Sequence, residues 1–183
     1  SISDKNNNRH KILSRIYYIN NDNNNNQSNS SLSKYLEYQY LAKLNSIGVD
    51  LTAGSSALLI DSDSELFSNA QLSSNNIAAF IQGDKKLSED LTLTLGLRYE
   101  YFFQRSPEVI AGDTIPNGET NESKLIARAG MNYKLAEGTF LRASWGQGYR
   151  VPTLVERFIE TQVSSFYVFP NVDLQSESGW SAE

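Results

Sequence analysis

The sequence predicts an all-β protein, a transmembrane antiparallel β-barrel, and three observations support this fold class. Apolar and polar residues alternate with a period of two along several stretches, as expected for strands with one buried face. These stretches are roughly 10–13 residues long, about twice the usual strand of a globular protein. Short turns and long polar loops alternate between them. Strands of this length with such connections are typical of barrels in the bacterial outer membrane.

Composition agrees with this class and excludes others. The 183 residues are 39% hydrophobic and carry a formal net charge of −5, which suits a sheet with one wet face. There is no basic block, so we do not expect a nucleic-acid partner. The absence of cysteine excludes a disulfide framework and a thiolate metal site. No apolar run approaches the ~20 residues of a membrane helix.

Both ends of the chain are expected to be internal to a larger protein. Residues 1–6 carry neither an initiator methionine nor a signal peptide. Residues 180–183 come just where another strand is expected to begin. We therefore predict that the chain is a piece of a longer sequence.

The first half of the chain supplies three predicted strands. Residues 11–20 mix β-branched and aromatic side chains, which favour a strand. The Asn-rich run that follows is of low complexity, and we expect a mobile loop over residues 21–32. Residues 34–44 alternate with a period of two. After a short turn at 45–48, residues 49–59 alternate more weakly.

The middle of the chain contains the clearest strand. A long polar loop over residues 60–76 precedes a strand at 77–87, and a three-residue turn at 88–90 follows it. Residues 91–103 then place leucine, tyrosine or phenylalanine at every odd position. A loop over residues 104–123, with two prolines and two glycines, returns the chain to the sheet.

The last predicted pair of strands covers residues 125–135 and 140–149. A tight turn at 136–139 joins them, and a long loop over residues 150–178 follows the second strand. Each of the two strands alternates in the same way as the strands before it, so we expect them to continue the same sheet.

The two faces of the predicted strands differ in chemistry. The odd positions of residues 91–103 are expected to face lipid, with the aromatic residues at the membrane interface. The even positions include Arg98 and Glu100, which are expected to line a hydrated interior. The following strands place Arg128 and Arg142 on the same side. A soluble antiparallel sandwich would also alternate, but its loops would not sort by length so regularly.

Small residues at many inward positions predict a wide lumen. A small closed barrel fills its interior with side chains, which glycine and serine cannot do. The chain therefore favours an arc of a large barrel over a complete small one. The small inward positions are Gly54, Ser56, Gly96, Gly130, Ser144, Gly146 and Gly148.

Two motifs make the chain resemble a known family. Gly148-Tyr-Arg-Val-Pro-Thr-Leu-Val-Glu-Arg-Phe158, followed by Phe169-Pro-Asn-Val-Asp-Leu-Gln-Ser-Glu-Ser-Gly-Trp180, resembles the central barrel signature of TonB-dependent outer-membrane receptors. Upstream, Asn76-Ile-Ala-Ala-Phe-Ile-Gln82 and Leu91-Thr-Leu-Thr-Leu-Gly-Leu-Arg-Tyr-Glu100 are similar to a strand pair of the same family. The sequence departs from the family pattern at Lys85 and at Val172.

The resemblance implies a 22-stranded barrel around a plug, of which this chain would form an arc of about 7–8 strands. Residues 1–183 would then be a partial barrel domain, without the plug and the remaining strands. Such a receptor lies in the outer membrane of a Gram-negative bacterium and contacts its lipid. It imports a scarce nutrient with energy relayed by TonB through the plug. The resemblance favours a ferric siderophore as the nutrient.

Most of the signature is expected to hold the shape of the long loop. Arg150 and Glu156 are expected to pair across its base, and Pro152 to stiffen it. Polar residues of the returning segment are expected to cap and tie it. The signature residues are Gly148, Tyr149, Arg150, Pro152, Glu156, Phe158, Pro170, Asn171, Asp173, Leu174, Glu177 and Trp180.

Candidate ligand contacts lie on the inward face and in the long loop. Arginine can hold carboxylate or catecholate oxygens with two parallel hydrogen bonds, although charge pairing between strands is an equally good role. Exposed aromatic residues either capture a flat ligand or pack on the loop or the plug. The candidates are Arg98, Glu100, Arg128 and Arg142, expected near the outer rim, together with Arg150, Phe166, Tyr167 and Phe169 in the loop.

The sequence predicts no enzyme, no metal site and no cofactor. No Ser/His/Asp set, phosphate loop or carboxylate pair is evident, so an outer-membrane protease or lipase is the weaker alternative. Residues 61–65 alternate acidic and serine residues, but they lack the glycine and distal glutamate of a calcium loop and favour a solvated loop. The only histidine is His10, which excludes axial haem ligation from the long loop. Cobalamin, haem or glycan import, and a passive porin or adhesive barrel, remain the alternative functions.

Overall fold

The computed structural model of the chain describes residues 2–4, 8–24, 28–65, 70–110, 113–114, 116–153, 156–157, 161–163, 165–169, 171 and 173–183. The strands are β1 (Ile2–Ser3), β2 (Arg9–Asn21), β3 (Asn29–Leu44), β4 (Val49–Ser64), β5 (Ala70–Lys86), β6 (Leu91–Arg105), β7 (Val109–Ile110), β8 (Asp113–Thr114), β9 (Glu119–Ala136), β10 (Thr139–Arg150), β11 (Thr161–Val163), β12 (Phe166–Val168) and β13 (Glu177–Ala182). A 3₁₀ turn covers Pro116–Gly118.

Nine of these strands form one antiparallel sheet in the order β1-β2-β3-β4-β5-β6-β9-β10-β13. The other four form two hairpins, β7 with β8 and β11 with β12, within the long connections. Short turns at 45–48, 87–90 and 137–138 lie at one end of the sheet, and the long connections lie at the other. This confirms the predicted all-β fold, an arc of antiparallel strands, although the described sheet has nine strands where about 7–8 were predicted. Among the described residues, no helix is long and apolar enough to cross a membrane.

Every predicted strand is present, but most extend further toward the long loops than the sequence indicated. The loops predicted over residues 21–32, 60–76, 104–123 and 150–178 are therefore too long. β4 continues to Ser64, and β5 already begins at Ala70. β9 begins at Glu119 and β13 at Glu177. The final strand thus starts earlier than residues 180–183, where it was expected.

Backbone pairing explains why these extensions escaped the sequence pattern. Asn29 lies opposite Asn21 of β2 on one side and opposite Ser64 of β4 on the other. Strand ends that extend beyond a membrane are exposed to water on both faces. Their sequence therefore does not need to alternate between apolar and polar residues. The Asn-rich run is consequently part strand, from Asn29 onward, where a mobile loop had been predicted; residues 25–27 lie outside the described part.

The acidic run at residues 61–65 belongs mostly to β4 and not to a solvated loop. Asp61 lies 3.7 Å from the ammonium of Lys34, and Glu65 accepts a hydrogen bond from the backbone N–H of Ser28 at 2.8 Å. In the described ranges, no three acidic, histidine or cysteine side chains are placed to hold a metal ion together.

Strand register sorts the side chains onto two faces of different chemistry. Ile81 lies opposite Leu97 of β6 on one face. That face is strongly apolar and exposed, with Leu95 65% and Leu125 60% accessible. Within the described residues only Ala42, Leu72 and Ala78 form a buried apolar core. A sheet with so little core of its own needs an apolar medium outside it, as a membrane barrel has.

Candidate functional site

The base of the long loop folds over the inner face of the sheet. The Tyr149 ring lies 5.8 Å from the ring of Phe102 in β6. The Gln104 side-chain amide, also in β6, donates to the carbonyl of Pro152 at 3.4 Å. Pro152 is buried. The segment 151–153 and the inner face border a cavity of ≈ 350 Å³. The loop therefore covers part of the lumen wall before it reaches the outside.

Arg150, Thr153, Glu156 and Glu177 form a hydrogen-bonded group that we name the loop clasp. Both terminal nitrogens of Arg150 donate to Glu156 Oε1, at 2.8 and 2.9 Å. Glu156 Oε2 accepts from the backbone N–H and the hydroxyl of Thr153, at 2.8 and 3.0 Å. Arg150 Nε also lies 3.5 Å from a carboxylate oxygen of Glu177. The structure thus brings Arg150 and Glu156 together as the sequence predicted.

Thr153 and Glu156 also make the reciprocal bonds of a capping box. The backbone N–H of Glu156 donates to Thr153 Oγ1 at 3.2 Å, and the Glu156 carboxylate accepts from the backbone N–H of Thr153. This is the arrangement in which a threonine and a glutamate three residues later begin a helical turn. The Thr-x-x-Glu spacing is present in the sequence, so this role could have been predicted from it.

Hydrogen bonds to the carboxylate hold the pKa of Glu156 well below its ordinary value. The backbone N–H of Thr153 has the largest effect, followed by the Arg150 guanidinium and the Thr153 hydroxyl, and together they lower the pKa from 4.5 to about 2. All of these donors favour the ionised carboxylate. The loop clasp is therefore a charged structure over the whole physiological pH range.

Acid is expected to open the loop clasp only well below neutral pH. Because the pKa of Glu156 is lower in the folded protein than in an unfolded chain, its contribution to stability is fully present above about pH 4.5 and is lost as the pH falls through about 2. A spin label on a Ser165→Cys variant should report a rise in loop mobility over that range. Glu156→Gln should give a mobile loop at every pH; a label equally immobile at pH 7 in both proteins would contradict the prediction.

Arg157 anchors the returning segment, and sequence analysis missed it. The residue is buried, only 4% exposed, and its guanidinium donates to the carbonyl of Leu174 at 2.9 Å. Its own carbonyl accepts from the backbone N–H of Asn171 at 2.9 Å. Burial lowers the pKa of the Arg157 guanidinium, while the charge of Glu122 acts in the opposite direction. Arginine is rarely buried without a partner, and nothing in its sequence context distinguished it from a surface residue.

A further contact ties the returning segment to β9. The hydroxyl of Ser176 hydrogen-bonds the carboxylate of Glu122, a residue that the sequence had not singled out. The backbone N–H of Leu174 donates to the carbonyl of Asn171 at 3.3 Å. Together with the Arg157 contacts, these bonds hold the segment, but they come from Arg157, Ser176, Glu122 and backbone groups, so the capping role predicted for the side chains of Asn171 and Asp173 stays a prediction. Phe158 and Pro170 lie outside the described residues.

The aromatic candidates of the loop stand in and beside the β11–β12 hairpin. Phe166 is 77% and Phe169 72% exposed, and Tyr167 is also exposed. The Tyr167 and Phe169 rings are stacked, with centroids 6.3 Å apart. Within the described part, these rings show no close packing apart from the stacking of Tyr167 on Phe169. Capture of a flat ligand and packing on a plug both stay predictions.

The inward arginines and Glu100 share the inner face, as predicted. Arg98 pairs with Glu100 on the same strand, whereas the sequence predicted charge pairing between neighbouring strands. Arg98 also donates to the Ser56 hydroxyl at 3.3 Å. Arg128 donates to the Gln82 side-chain carbonyl, and Arg142 donates to that of Asn132 at 3.3 Å.

The prediction that the inward arginines and Glu100 lie near the outer rim was wrong for the three arginines. Arg142 lies near the start of β10, beside the short turn and far from the outer rim. Arg98 and Arg128 lie about half-way along β6 and β9; only Glu100 falls in the loop-side half of its strand. Alternation predicts which face a side chain takes, but its height depends on its distance along the strand from the short turn, and Arg142 lies only a few residues beyond that turn.

Two inward glycines are covered by neighbouring side chains. A Cβ atom on Gly54 would lie 2.6 Å from the Phe80 ring, and one on Gly96 would lie 2.8 Å from Arg128 Nε. The ring and the guanidinium stem therefore lie flat against the wall at these glycines. The sequence suggested that small inward residues widen the lumen. At these two positions they instead make room for large neighbouring side chains.

The family comparison covers almost the whole chain. A family model described as "TonB dependent receptor-like, beta-barrel" matches residues 2–183, which include every strand of the nine-stranded sheet. No curated protein matches the chain. A solved structure, a double mutant of the Serratia marcescens hemophore receptor HasR in complex with its hemophore HasA and heme, is similar with a TM-score of 0.44 and 12% sequence identity. That alignment covers 96% of this chain and 39% of the HasR chain.

Proposed function

Because the chain belongs to the TonB-dependent receptor β-barrel family, whose members are transporters of the Gram-negative outer membrane and not enzymes, we propose that its receptor imports a ferric siderophore. The chain spans 39% of the length of the HasR chain, so the activity proposed is that of a whole receptor. TonB would supply the energy through a plug, and residues 1–183 would form part of the barrel wall.

The exposed aromatic hairpin is the observation that carries this proposal. Phe166, Tyr167 and Phe169 are exposed beside one another, and two of the rings are already stacked. The hairpin lies in the long connection between β10 and β13, at the end of the sheet opposite the short turns. Aromatic faces at the mouth of a barrel can stack on the planar rings of a catecholate ligand.

The inward arginines support an anionic cargo. Guanidinium groups bind catecholate or carboxylate oxygens through paired hydrogen bonds. Arg128 would meet such oxygens inside the lumen, below the hairpin, with Arg98 beside it already paired to Glu100. Arg150 is engaged by Glu156 and Glu177, so we assign it to the loop clasp and not to the ligand.

Growth on single iron sources tests the proposal. A strain lacking the receptor is expected to lose growth on one ferric siderophore as sole iron source, and to recover it with the full-length gene. Normal growth on every ferric siderophore would refute iron import. A defect confined to haem, cobalamin or a glycan would identify one of the other cargo classes, and passage of unrelated small solutes without TonB would identify a passive porin.

A hairpin variant connects that phenotype with the aromatic residues. The triple variant Phe166→Ala, Tyr167→Ala, Phe169→Ala is expected to weaken binding of the ferric siderophore by about tenfold or more, because stacked rings contribute beyond their buried area. Val109→Ala is the control, since Val109 is 59% exposed in the β7–β8 hairpin, which belongs to another long connection. Equal binding by both variants would show that the aromatic hairpin does not contact the cargo.

A further inference from the structure

A cleft opens in the barrel wall between β9 and β10. The register between these two strands ends at the pair of Gly146 and Arg128. Beyond that pair, β9 extends to Glu119 along β6, whereas β10 continues to Arg150 along β13. Both stretches lie wholly within the described residues. The two neighbouring strands therefore separate in the part of the wall that lies toward the long connections.

One side chain closes the narrow end of this cleft. Gln147 Oε1 accepts a hydrogen bond from the backbone N–H of Ala127 at 2.9 Å. The side-chain oxygen thus takes the place that a backbone carbonyl of β10 would hold if the ladder continued. Backbone polar groups at membrane depth need a partner within the protein. Gln147 therefore allows the strands to part without leaving this N–H group unpaired beside lipid.

The separated strands border a cavity of ≈ 390 Å³, which we name the wall cleft. Most of the side chains that line it are apolar or aromatic, and we define it by Leu125, Ile126, Trp145, Gln147, Tyr149 and Trp180. The Tyr149 ring lies 5.8 Å from the ring of Phe102 and 5.6 Å from the ammonium of Lys124, both on the inner face. Tyr149 therefore closes the wall cleft toward the lumen.

The wall cleft opens on the membrane face of the sheet. Leu125 lies opposite Tyr99 of β6, and both are exposed on the face that meets lipid. Trp145 of β10 lies on the same face, opposite Ala129 of β9. Aromatic residues of membrane barrels gather at the interface between hydrocarbon and headgroups, and the long connections of such barrels are extracellular. The wall cleft therefore lies at the level of the outer leaflet.

We propose that the wall cleft holds one acyl chain of an outer-leaflet lipid. The cleft is continuous with the lipid-facing surface of the barrel, and lipid chains are the apolar groups available at this depth. Water does not fill an apolar cavity, and an empty cavity forfeits the dispersion contacts of the atoms that line it. An acyl chain lying between Leu125 and Trp145 restores those contacts.

The parting of the backbones distinguishes this site from ordinary contact with bulk lipid. From β2 to β9, neighbouring strands of the sheet stay paired along their shared length, so a lipid there meets only side chains. Between β9 and β10 a chain can enter the wall and contact two strands at once. The inference concerns the membrane face of the receptor, so it does not rest on the proposed cargo.

Native mass spectrometry of the full-length receptor tests the proposal, after extraction from outer membranes and washing in detergent. The wild type is expected to retain one lipid, and the mass of that lipid identifies it as a component of the outer leaflet. Trp145→Ala removes one wall of the cleft and is expected to lower the retained fraction about tenfold.

Ser178→Leu is a second variant that acts in the opposite way. Ser178 also borders the wall cleft, so a leucine there fills the space that Trp145→Ala enlarges. Retention of the lipid should again fall about tenfold. Tyr99→Ala is the matched control, because Tyr99 is an aromatic residue 48% exposed to lipid, at the same height but on β6. Its retention should stay within about twofold of the wild type.

The electrophoretic shift of the folded barrel shows which variants assemble, and either cleft variant alone decides the question. Equal lipid retention by the wild type, the assembled cleft variants and the control would overturn the wall cleft. A wild type that carries only detergent, or only a lipid of the inner leaflet, would overturn it as well. These results are independent of growth on iron sources, so the wall cleft and the import proposal can fail separately.

Discussion

Replacing Gly54 with alanine is expected to lower the free energy of unfolding of the receptor by about 3 kcal/mol and to reduce the yield of assembled barrel. The new Cβ atom would lie 2.3 Å from the carbonyl oxygen of Tyr38 and 2.6 Å from the Phe80 ring. The ring can rotate away, but the carbonyl belongs to the neighbouring strand β3 and cannot move without breaking its ladder. Urea unfolding in detergent, followed by the electrophoretic shift of the folded barrel, measures the effect.

The matched control for this substitution is Gly130→Ala. Gly130 also lies on the inner face within a strand, but its Cβ atom would meet Thr94 at 3.7 Å and the carbonyl of Ala143 at 3.9 Å, which are ordinary contacts. We expect a change below about 1 kcal/mol there. The double variant Gly54→Ala, Phe80→Ala should not recover stability, because it leaves the Tyr38 carbonyl in place. Full recovery would show that the aromatic ring alone requires the glycine.

Replacing Arg157 with methionine is expected to release the returning segment of the long loop. The variant loses a hydrogen bond from a buried guanidinium to the Leu174 carbonyl, at a cost of about 2 kcal/mol. It also removes the positive charge that faces Glu122. Limited proteolysis should cut the loop faster, and uptake of the cargo should fall because the mouth is no longer held in shape.

Arg105→Met provides the comparison for this substitution. Arg105 pairs with Glu119 at 3.1 Å, but its side chain is 65% exposed, so its loss should cost less than about 1 kcal/mol. Arg157→Lys should recover part of the protection, because an ammonium can also donate to a carbonyl but lacks the planar fork. Equal protease sensitivity of Arg157→Met and Arg105→Met would show that the buried arginine does not anchor the loop.

Much of the fold was predictable because alternation is a local property of the backbone. Leu95 and Leu97 point to one face and Arg98 to the other whatever the strand pairs with, and the structure confirms this assignment. The strand extensions were not predictable. Asn29 and Ser64 pair at the wet rim, where neither face requires apolar side chains and the sequence carries no alternation.

The candidate site was predictable only where its partners are close in the chain. Arg150 and Glu156 are six positions apart in the chain, and their pairing was predicted from the motif, whereas the bonds of Thr153 to Glu156 were not. Arg157 was missed because its burial depends on Leu174 and Glu122, which other segments bring to it. The ligand roles of the aromatic hairpin and the inward arginines stay predictions.

By itself the sequence determined the fold class, the family and the face that each strand residue takes. These follow from periodicity and from a contiguous motif, both of which are written in the order of residues. Only the tertiary structure decided how far along the barrel wall each side chain lies and which distant residues it contacts. It places Arg142 beside the short turn, Phe80 over Gly54, and the loop base against Phe102. These contacts depend on the register between strands and on how the loop base folds over the inner face. Both are determined by residues that are distant in the chain.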